Sequence, residues 1–461
     1  GQSILSRFER FLMGVESLYD QDPDLRKSRD CILGDKHQED IQVVEIAEKI
    51  SKELQRFDVL SEKGCSLACA SQNDIAVPPA VIFSVREKEV SLGELKETIG
   101  MLEREVEERG LQEQLGARFN SREDPVVVAF RLAGPFDMPG QMATTTNIGI
   151  TTGTLPGLIK RVKRIIKARE DSLREAEAED LAKWCAYDSL RRFYQDFAML
   201  VYGMERQIFD KLMERYKAGQ GKSHKVELSG EGMKELAQMY KRVVEINYGT
   251  NAIPDDGLRQ LEMIAEYTKV SWEKTEQYRV MMGLEAYRGV ASILQVQVFG
   301  NMKNREDIYS EGELRFGGEI YSGAGVVIST SLGGVYGSFG PDTQGFDIAD
   351  GVVVPEDLKK LREVNPWGYS ELEGYLRKLT RIYNHPVEVE YTIQDRRVWI
   401  LQVCMASLRP RRNSLDPETK EAAEVLGGGM SLAVRGGLRG LVITEGTLQN
   451  MMEYMEILRQ A

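Results

Sequence analysis

Two alternating runs, Val387 to Ile393 and Val398 to Val403, flank the polar tetrad Gln394-Asp395-Arg396-Arg397 and predict a β-hairpin. Residues two apart in a strand share a face. Glu388 and Glu390 therefore project together, as do Gln402 and Cys404 on the returning strand. Turn length decides whether the two pairs meet. A two-residue loop at Asp395-Arg396 sets Gln402 opposite Val389, on the wrong face; a three-residue loop ending at Arg397 sets Glu390 opposite Gln402 and Glu388 opposite Cys404. Upstream, Val126 to Phe130 is a short apolar run of the buried-strand kind. Ser292 to Phe299 reads as a strand in which alternation puts Gln295 and Gln297 on one face. Residues from about 155 to 285 are charged, rich in Leu and Met and poor in Pro; Leu190, Phe193, Phe197, Leu200 and Val201 fall at helical spacing as core. Residues 1 to about 56 carry two further helical patterns, Ile4, Phe8, Phe11, Leu12 and Val43, Val44, Ile46, Ile50, Leu54. Glycine and threonine dominate from Thr144 to Gly153 and predict a flexible lid or loop.

At 461 residues the chain is too long for one compact core, and two or three domains are expected. Hydrophobic residues make up 42% and charged residues 29%, as in an ordinary globular protein. A net charge of −12 argues against a nucleic-acid or anionic-membrane partner, since both need clustered Lys and Arg. No apolar run approaches bilayer-spanning length and no basic-then-apolar leader opens the sequence. Five scattered cysteines without a C-x-x-C pair are expected to be reduced thiols, which suits a cytoplasmic or organelle-matrix compartment. The three histidines, His37, His224 and His385, stand in no triad or metal-ligand context, so hydrolytic triads and zinc catalysis are excluded as readings.

Chemistry enters through the hairpin. Two carboxylates side by side repel unless a cation lies between them, so Glu388 and Glu390 form a candidate hard-metal site for the Mg²⁺ of a nucleotide phosphate. The competing reading is a solvated acidic face. In the segment Leu60 to Leu67, Lys63 opens a helix, where a cation is disfavoured by the macrodipole unless an anion is present. That makes Lys63 either a phosphate contact or a surface lysine in a turn. The amides of Gln295 and Gln297 can pair with a base edge, or simply belong to a half-exposed strand.

Residues 57 to 409 resemble the nucleotide-binding domain of the pyruvate phosphate dikinase family in at least six segments taken in order. They are Leu60 to Leu67, Ile75 to Phe83 with its Val77-Pro78-Pro79, Arg131 to Met142 with Met138-Pro139-Gly140, Trp184 to Phe193, Ser292 to Asn301, Gly317 to Val327 with Tyr336 to Ile348, and Glu388 to Cys404. The resemblance implies an α+β, ATP-grasp-like two-lobed fold with a large inserted helical subdomain. The expected divisions are a helical segment 1–56, a first lobe 57–154, the insertion 155–285, a second lobe 286–409 and a linker with a short α/β tail at 410–461.

It also implies roles. Lys63 and Arg131 would hold phosphates of ATP, Gln295 and Gln297 would line the adenine pocket, Gln402 would contact the nucleotide, and Glu388 and Glu390 would hold Mg²⁺. Met138 to Gly140 would close over the nucleotide, the glycines of residues 317–325 would let backbone amides approach a phosphate, and the acceptor would be a histidine on a separate domain or partner. The sequence departs from the family at several polar positions. Cys404 stands for an arginine, Leu132 for a serine, Ala143 for an aspartate, Ser338 and Phe346 for glutamates, and Thr330-Ser331-Leu332 for Arg-Asn-Pro. Two functions follow as expectations: a phosphotransferase, or a dikinase-derived nucleotide-binding or structural protein that has lost turnover.

Overall fold

The computed structural model describes residues 61–405, except 62, 87–88, 135–141, 282–288, 304–308, 311–312, 315–320, 331–333, 350 and 384–385. The helical segment 1–56, the tail at 410–461 and the loop at Met138-Pro139-Gly140 lie outside the described residues.

Two antiparallel sheets and a helical layer organise the chain. The first sheet contains β1 (Ala80–Arg86), β2 (Val128–Ala133), β3 (Thr144–Ile148) and β4 (Val290–Val296), in the order β1-β4-β2-β3. Between β3 and β4 the chain runs through helices α1 (Leu155–Arg169), α2 (Glu175–Tyr202), α3 (Arg206–Gly219), α4 (Gly230–Tyr248) and α5 (Gly257–Glu266). Strand β4 therefore returns into the first sheet. The first sheet thus draws its second strand from beyond residue 286, pairing Gln295 with both Ala80 and Ala129. Local patterning could not reveal this, because which strand a returning segment pairs with is set by tertiary packing.

The second sheet has β5 (Ser322–Ser329), β6 (Val335–Pro341), β7 (Val387–Gln394) and β8 (Arg397–Met405), with the short strand Glu356–Asp357 at one edge. Its strand order from that edge is β6-β5-β7-β8. Helices Leu358–Val364 and Pro366–Tyr383 cover one face, burying Leu361, Leu372, Leu376 and Leu379 with Val327, Phe339, Val387, Val389 and Tyr391.

The stretch Thr144–Gly153 is a strand followed by a short loop: Thr144–Ile148 is strand β3, after which Gly149, Ile150 and Thr151 are buried and Thr152 is exposed. β-Branched threonines suit a strand, and the Asp196 carboxylate accepts from both the amide and the hydroxyl of Thr146. Gly149 has φ +98, and a Cβ there would meet the Phe119 ring at 2.7 Å. Among the described residues, no helix is long and apolar enough to cross a membrane.

Candidate functional site: a wedge between two sheets

The hairpin turns more tightly than the matching register requires. Gln394 pairs with Arg397 across a two-residue turn whose residues Asp395 and Arg396 have φ of 42° and 61°, the left-handed pair favoured in hairpins. On its own that turn would misalign the polar pairs. A β-bulge between Glu390 and Tyr391 on β7, opposite Leu401, absorbs one residue of β8 and restores them: Glu390 faces Gln402 and Glu388 faces Cys404. The polar register is the one a three-residue loop was expected to produce, reached by a different device.

The face of the second sheet away from its helices turns towards the first lobe. Its burial is graded. On β7, Gln394 is 1% exposed and Thr392 2%, while Glu390 and Glu388 are half-buried; on β5, Ser322 and Ala324 are fully buried, while Val326 and Ile328 are not. At the closed end the Gln394 amide accepts from the Phe299 backbone N–H at 2.6 Å and donates to the Gln114 carbonyl. Trp399, on the same face, is buried in the core of the first lobe and helical layer. The sheets therefore diverge as a wedge, opening from Gln394 towards Glu388.

Arg131 stands on the opposing wall. It lies within β2, paired with Ile293 and Thr144. Its Nη1 is 3.7 Å from Glu390 Oε2, with side chains 10% and 44% exposed respectively. Burial pulls the Arg131 pKa below the ordinary arginine value, and the Glu390 charge works against that pull. The guanidinium Nε is buried with no hydrogen-bond partner. Gln295 lies on the same face as Arg131, two residues deeper along β4 than Arg131's partner Ile293, and flanked by Ala80 and Ala129. It is 1% exposed, and its Nε2 is also buried without a partner. Gln297, two residues further along the chain, is 9% exposed and donates to the Val298 carbonyl at 2.8 Å.

The remaining expected residues divide. Lys63 lies in a helix that runs to residue 72 and already includes Ser61, whose hydroxyl accepts from the Gly64 amide at 3.2 Å. That helix buries Leu67 and Ala70 in the cluster that also contains Ala133 and Ile293 beside Arg131. Gln402 is buried and donates to the Cys404 sulfur at 3.0 Å. Among the described residues, no three His, Cys, Asp or Glu side chains converge as a metal site. Glu388 and Glu390 fit Mg²⁺ only as a two-carboxylate contribution, the usual arrangement where substrate phosphates and water complete the octahedron.

Several departures from the family do not touch the wedge. Leu132, next to Arg131 in β2, points to the opposite face and lines a small apolar space with Ala143, Phe130, Thr145, Leu200 and Ile264. The loss of polarity at Leu132 and Ala143 is thus one joint change in packing beneath the helices, not the loss of two site groups. Gly323 and Gly325 likewise face the helix-covered side. A Cβ at Gly325 would lie 2.0 Å from the Ser338 carbonyl oxygen, and one at Gly323 would lie 2.5 Å from both the Gly340 carbonyl oxygen and the Phe339 ring, so the close approach of the β6 backbone accounts for both glycines.

Sequence reasoning missed a highly charged buried cluster. Asp347, at the start of the second lobe's Gly345–Ala349 helix, accepts from Arg191 at 3.1 Å and Arg192 at 3.2 Å, and from Lys225. Burial alone would raise the Asp347 pKa; Lys225, Arg191 and Arg192 together outweigh it and hold the carboxyl well below its usual range. Asp188 accepts from Arg191, Lys225 and Asn301, and Asn147 exchanges hydrogen bonds with Gln344 at 2.9 and 3.1 Å. All of these residues but Lys225 and Asn147 come from three of the segments that carry the family resemblance, so the likeness at those segments marks a structural joint. The readable signal was the run Asp188, Arg191, Arg192 and Gln195 on a stretch of helix that is buried throughout from Asp188 to Ala198.

The chain is 28% identical over 380 residues to pyruvate, phosphate dikinase 1 of Arabidopsis thaliana, covering 81% of this chain and 35% of that protein. To the pyruvate, phosphate dikinase of Flaveria trinervia it is 30% identical over 353 residues, 75% of this chain and 33% of the relative. Dikinase 2 of Zea mays matches at 28% over 372 residues, 78% and 37%. The chain is a divergent relative of the pyruvate, phosphate dikinases. It spans about a third of the length of the dikinases it matches. No protein-family model matches it. The dikinase likeness supports a nucleotide-binding region of kinase type, and it leaves the compartment open.

Proposed function

We propose that this chain is a Mg·ATP-binding phosphotransferase module of ATP-grasp-like fold that holds the nucleotide in the wedge and passes a phosphoryl group to a histidine on a separate domain or partner. One observation carries this reading: Arg131 and Glu390 reach across from opposite sheets to within 3.7 Å. Wedge polarity orients the ligand. Gln295 and Gln297 lie towards the closed end, where a base edge suits an unpartnered amide; Arg131, Glu390, Glu388 and Gln402 lie outward, where phosphates would follow. Lys63, in the first described turns of a helix whose Leu67 and Ala70 pack beside the same wall, would add a second cation. Bound Mg²⁺, held by Glu388 and Glu390, would neutralise phosphate charge. The chain's own groups position the polyphosphate and exclude water, which is most of what phosphoryl transfer needs.

A second reading, binding without turnover, is favoured by Cys404. The family arginine there would face Glu388; here a buried thiol accepts from Gln402 instead. Losing one charge-stabilising donor costs on the order of 10²–10³ in rate. Incubation with β- and γ-labelled ATP, Mg²⁺ and a dikinase phosphohistidine domain as acceptor separates the two. Label on the acceptor supports transfer; bound ATP without labelled acceptor supports the second reading.

A further inference from the structure

The closed end of the wedge is fastened by an uncharged amide pair. Gln344, just beyond β6 in the second lobe, accepts from the Asn147 side-chain amide at 2.9 Å and donates back to the Asn147 oxygen at 3.1 Å. Both side chains are buried. We propose that this pair is a positioning device: it fixes the angle between the two sheets and so the gap between Arg131 and Glu390, an inference whose consequence for affinity rests on the nucleotide reading above. Asn147 holds its place in β3 with φ of 61°, a left-handed conformation that asparagine adopts more readily than most residues and that persists only where the surroundings enforce it. Gln344 supplies that enforcement, and its amide also donates to Ser189 and Asn301.

The grip is a closed circuit. Thr146, next to Asn147, donates to Asp196; Asp196 pairs with Arg192 at 3.0 Å; and Arg192 donates to Asp347, three residues beyond Gln344. Two neighbouring residues of β3 thus hold one short segment of the second lobe, directly at 344 and through helix α2 at 347. The joint lies at the vertex and the site lies out along the lever. Thr144, the β3 partner of Arg131, is three residues from Asn147, about 10 Å along a strand. A rotation of about 6° at the joint therefore moves Arg131 by about 1 Å relative to the opposing sheet, and a shift of that size at a positioned group costs up to about a hundredfold.

The test uses two variants and a thiol already in the wedge. Gln344→Met keeps the length of the side chain and removes its hydrogen bonds; Asn147→Gly breaks the same pair from the other side, in a conformation glycine adopts freely, and carries the test if the first variant fails to fold. Cys404, opposite Glu388 at the open end, is 8% exposed, and Cys185 in α2 is fully buried. Alkylation with iodoacetamide, read by peptide mass spectrometry, gives the rate at Cys404, with Cys185 as the marker of lost fold. Both variants are expected to label at Cys404 at least about fivefold faster than wild type, with Cys185 unmodified. Calorimetry is expected to show Mg·ATP bound about tenfold weaker, and little further loss when either variant is combined with Arg131→Met. A Cys404 rate that stays at the wild-type value, or rises only in step with Cys185, overturns the inference, as do affinity losses that add fully to that of Arg131→Met. Faster Cys404 labelling in variants of a chain that binds no Mg·ATP upholds the joint and overturns the nucleotide reading instead.

Discussion

The guanidinium of Arg131 and the carboxylate of Glu390 belong to different sheets and stand 3.7 Å apart at the point where the wedge begins to open. The contact joins the two lobes through groups that the sequence places far apart, and it defines where a polyanion would sit.

Replacing Arg131 by Met tests its part. The apolar chain fills similar volume in β2, and the partner left behind is half exposed and can hydrate, so thermal stability changes little. Affinity for Mg·ATP is expected to fall by about tenfold to a hundredfold, since hydrogen bonds to charged groups contribute roughly 1.5–3 kcal/mol. Calorimetry beside a melting curve distinguishes lost contact from lost fold.

Asp347→Asn addresses the joint between lobe and helices. It leaves Arg191, Arg192 and Lys225 buried against a neutral amide, and breaking such a buried pair costs roughly 3–5 kcal/mol. The midpoint of urea unfolding reports it.

The same carboxylate predicts an acid limb. Its folded pKa is held below the unfolded value of roughly 3.9. The stability it supplies is therefore complete above that value and lost as pH falls below it towards the folded pKa. Urea midpoints measured from neutral pH downward are expected to hold and then drop below about pH 4, and the drop is expected to be shallower in Asp347→Asn.

Leu132→Ser restores a family residue on the wrong side of the sheet for chemistry. Truncating a leucine that is 3% exposed and leaving a hydroxyl in apolar surroundings is expected to destabilise by about 2–5 kcal/mol. Mg·ATP affinity is expected to stay within about twofold. Cys404→Arg makes the opposite prediction: the new cation faces Glu388 inside the wedge, and both Mg·ATP affinity and labelling of a histidine acceptor are expected to rise by about tenfold or more.

The sequence was most readable where period and chemistry agreed. Glu388 and Glu390 alternate with Val389 and Tyr391, and the structure keeps the acids on one face and the apolar side chains on the other. The core positions Phe193, Phe197 and Val201 are buried as their spacing predicts. Reading failed where long-range pairing decides. Nothing in Val290–Val296 announces that it inserts between β1 and β2, and nothing in Leu132 or Ala143 says that their polar-to-apolar changes meet in one space. The hairpin was readable in outcome only, because the bulge opposite Leu401 compensates a turn whose length local sequence left open. Asp188 and Asp347 were invisible as joint partners of Arg191 and Lys225 because long-range folding alone brings the halves of a buried ion pair together.

The most direct measurement is thermal melting of the chain with millimolar Mg·ATP, run beside Arg131→Met. The wedge predicts a rise of several degrees for wild type, since a ligand at a hundredfold over its Kd stabilises by about 2.7 kcal/mol, and a much smaller rise for the variant. A wild-type melting temperature that does not move, or an equal rise in both proteins, would contradict a nucleotide site built on Arg131 and Glu390.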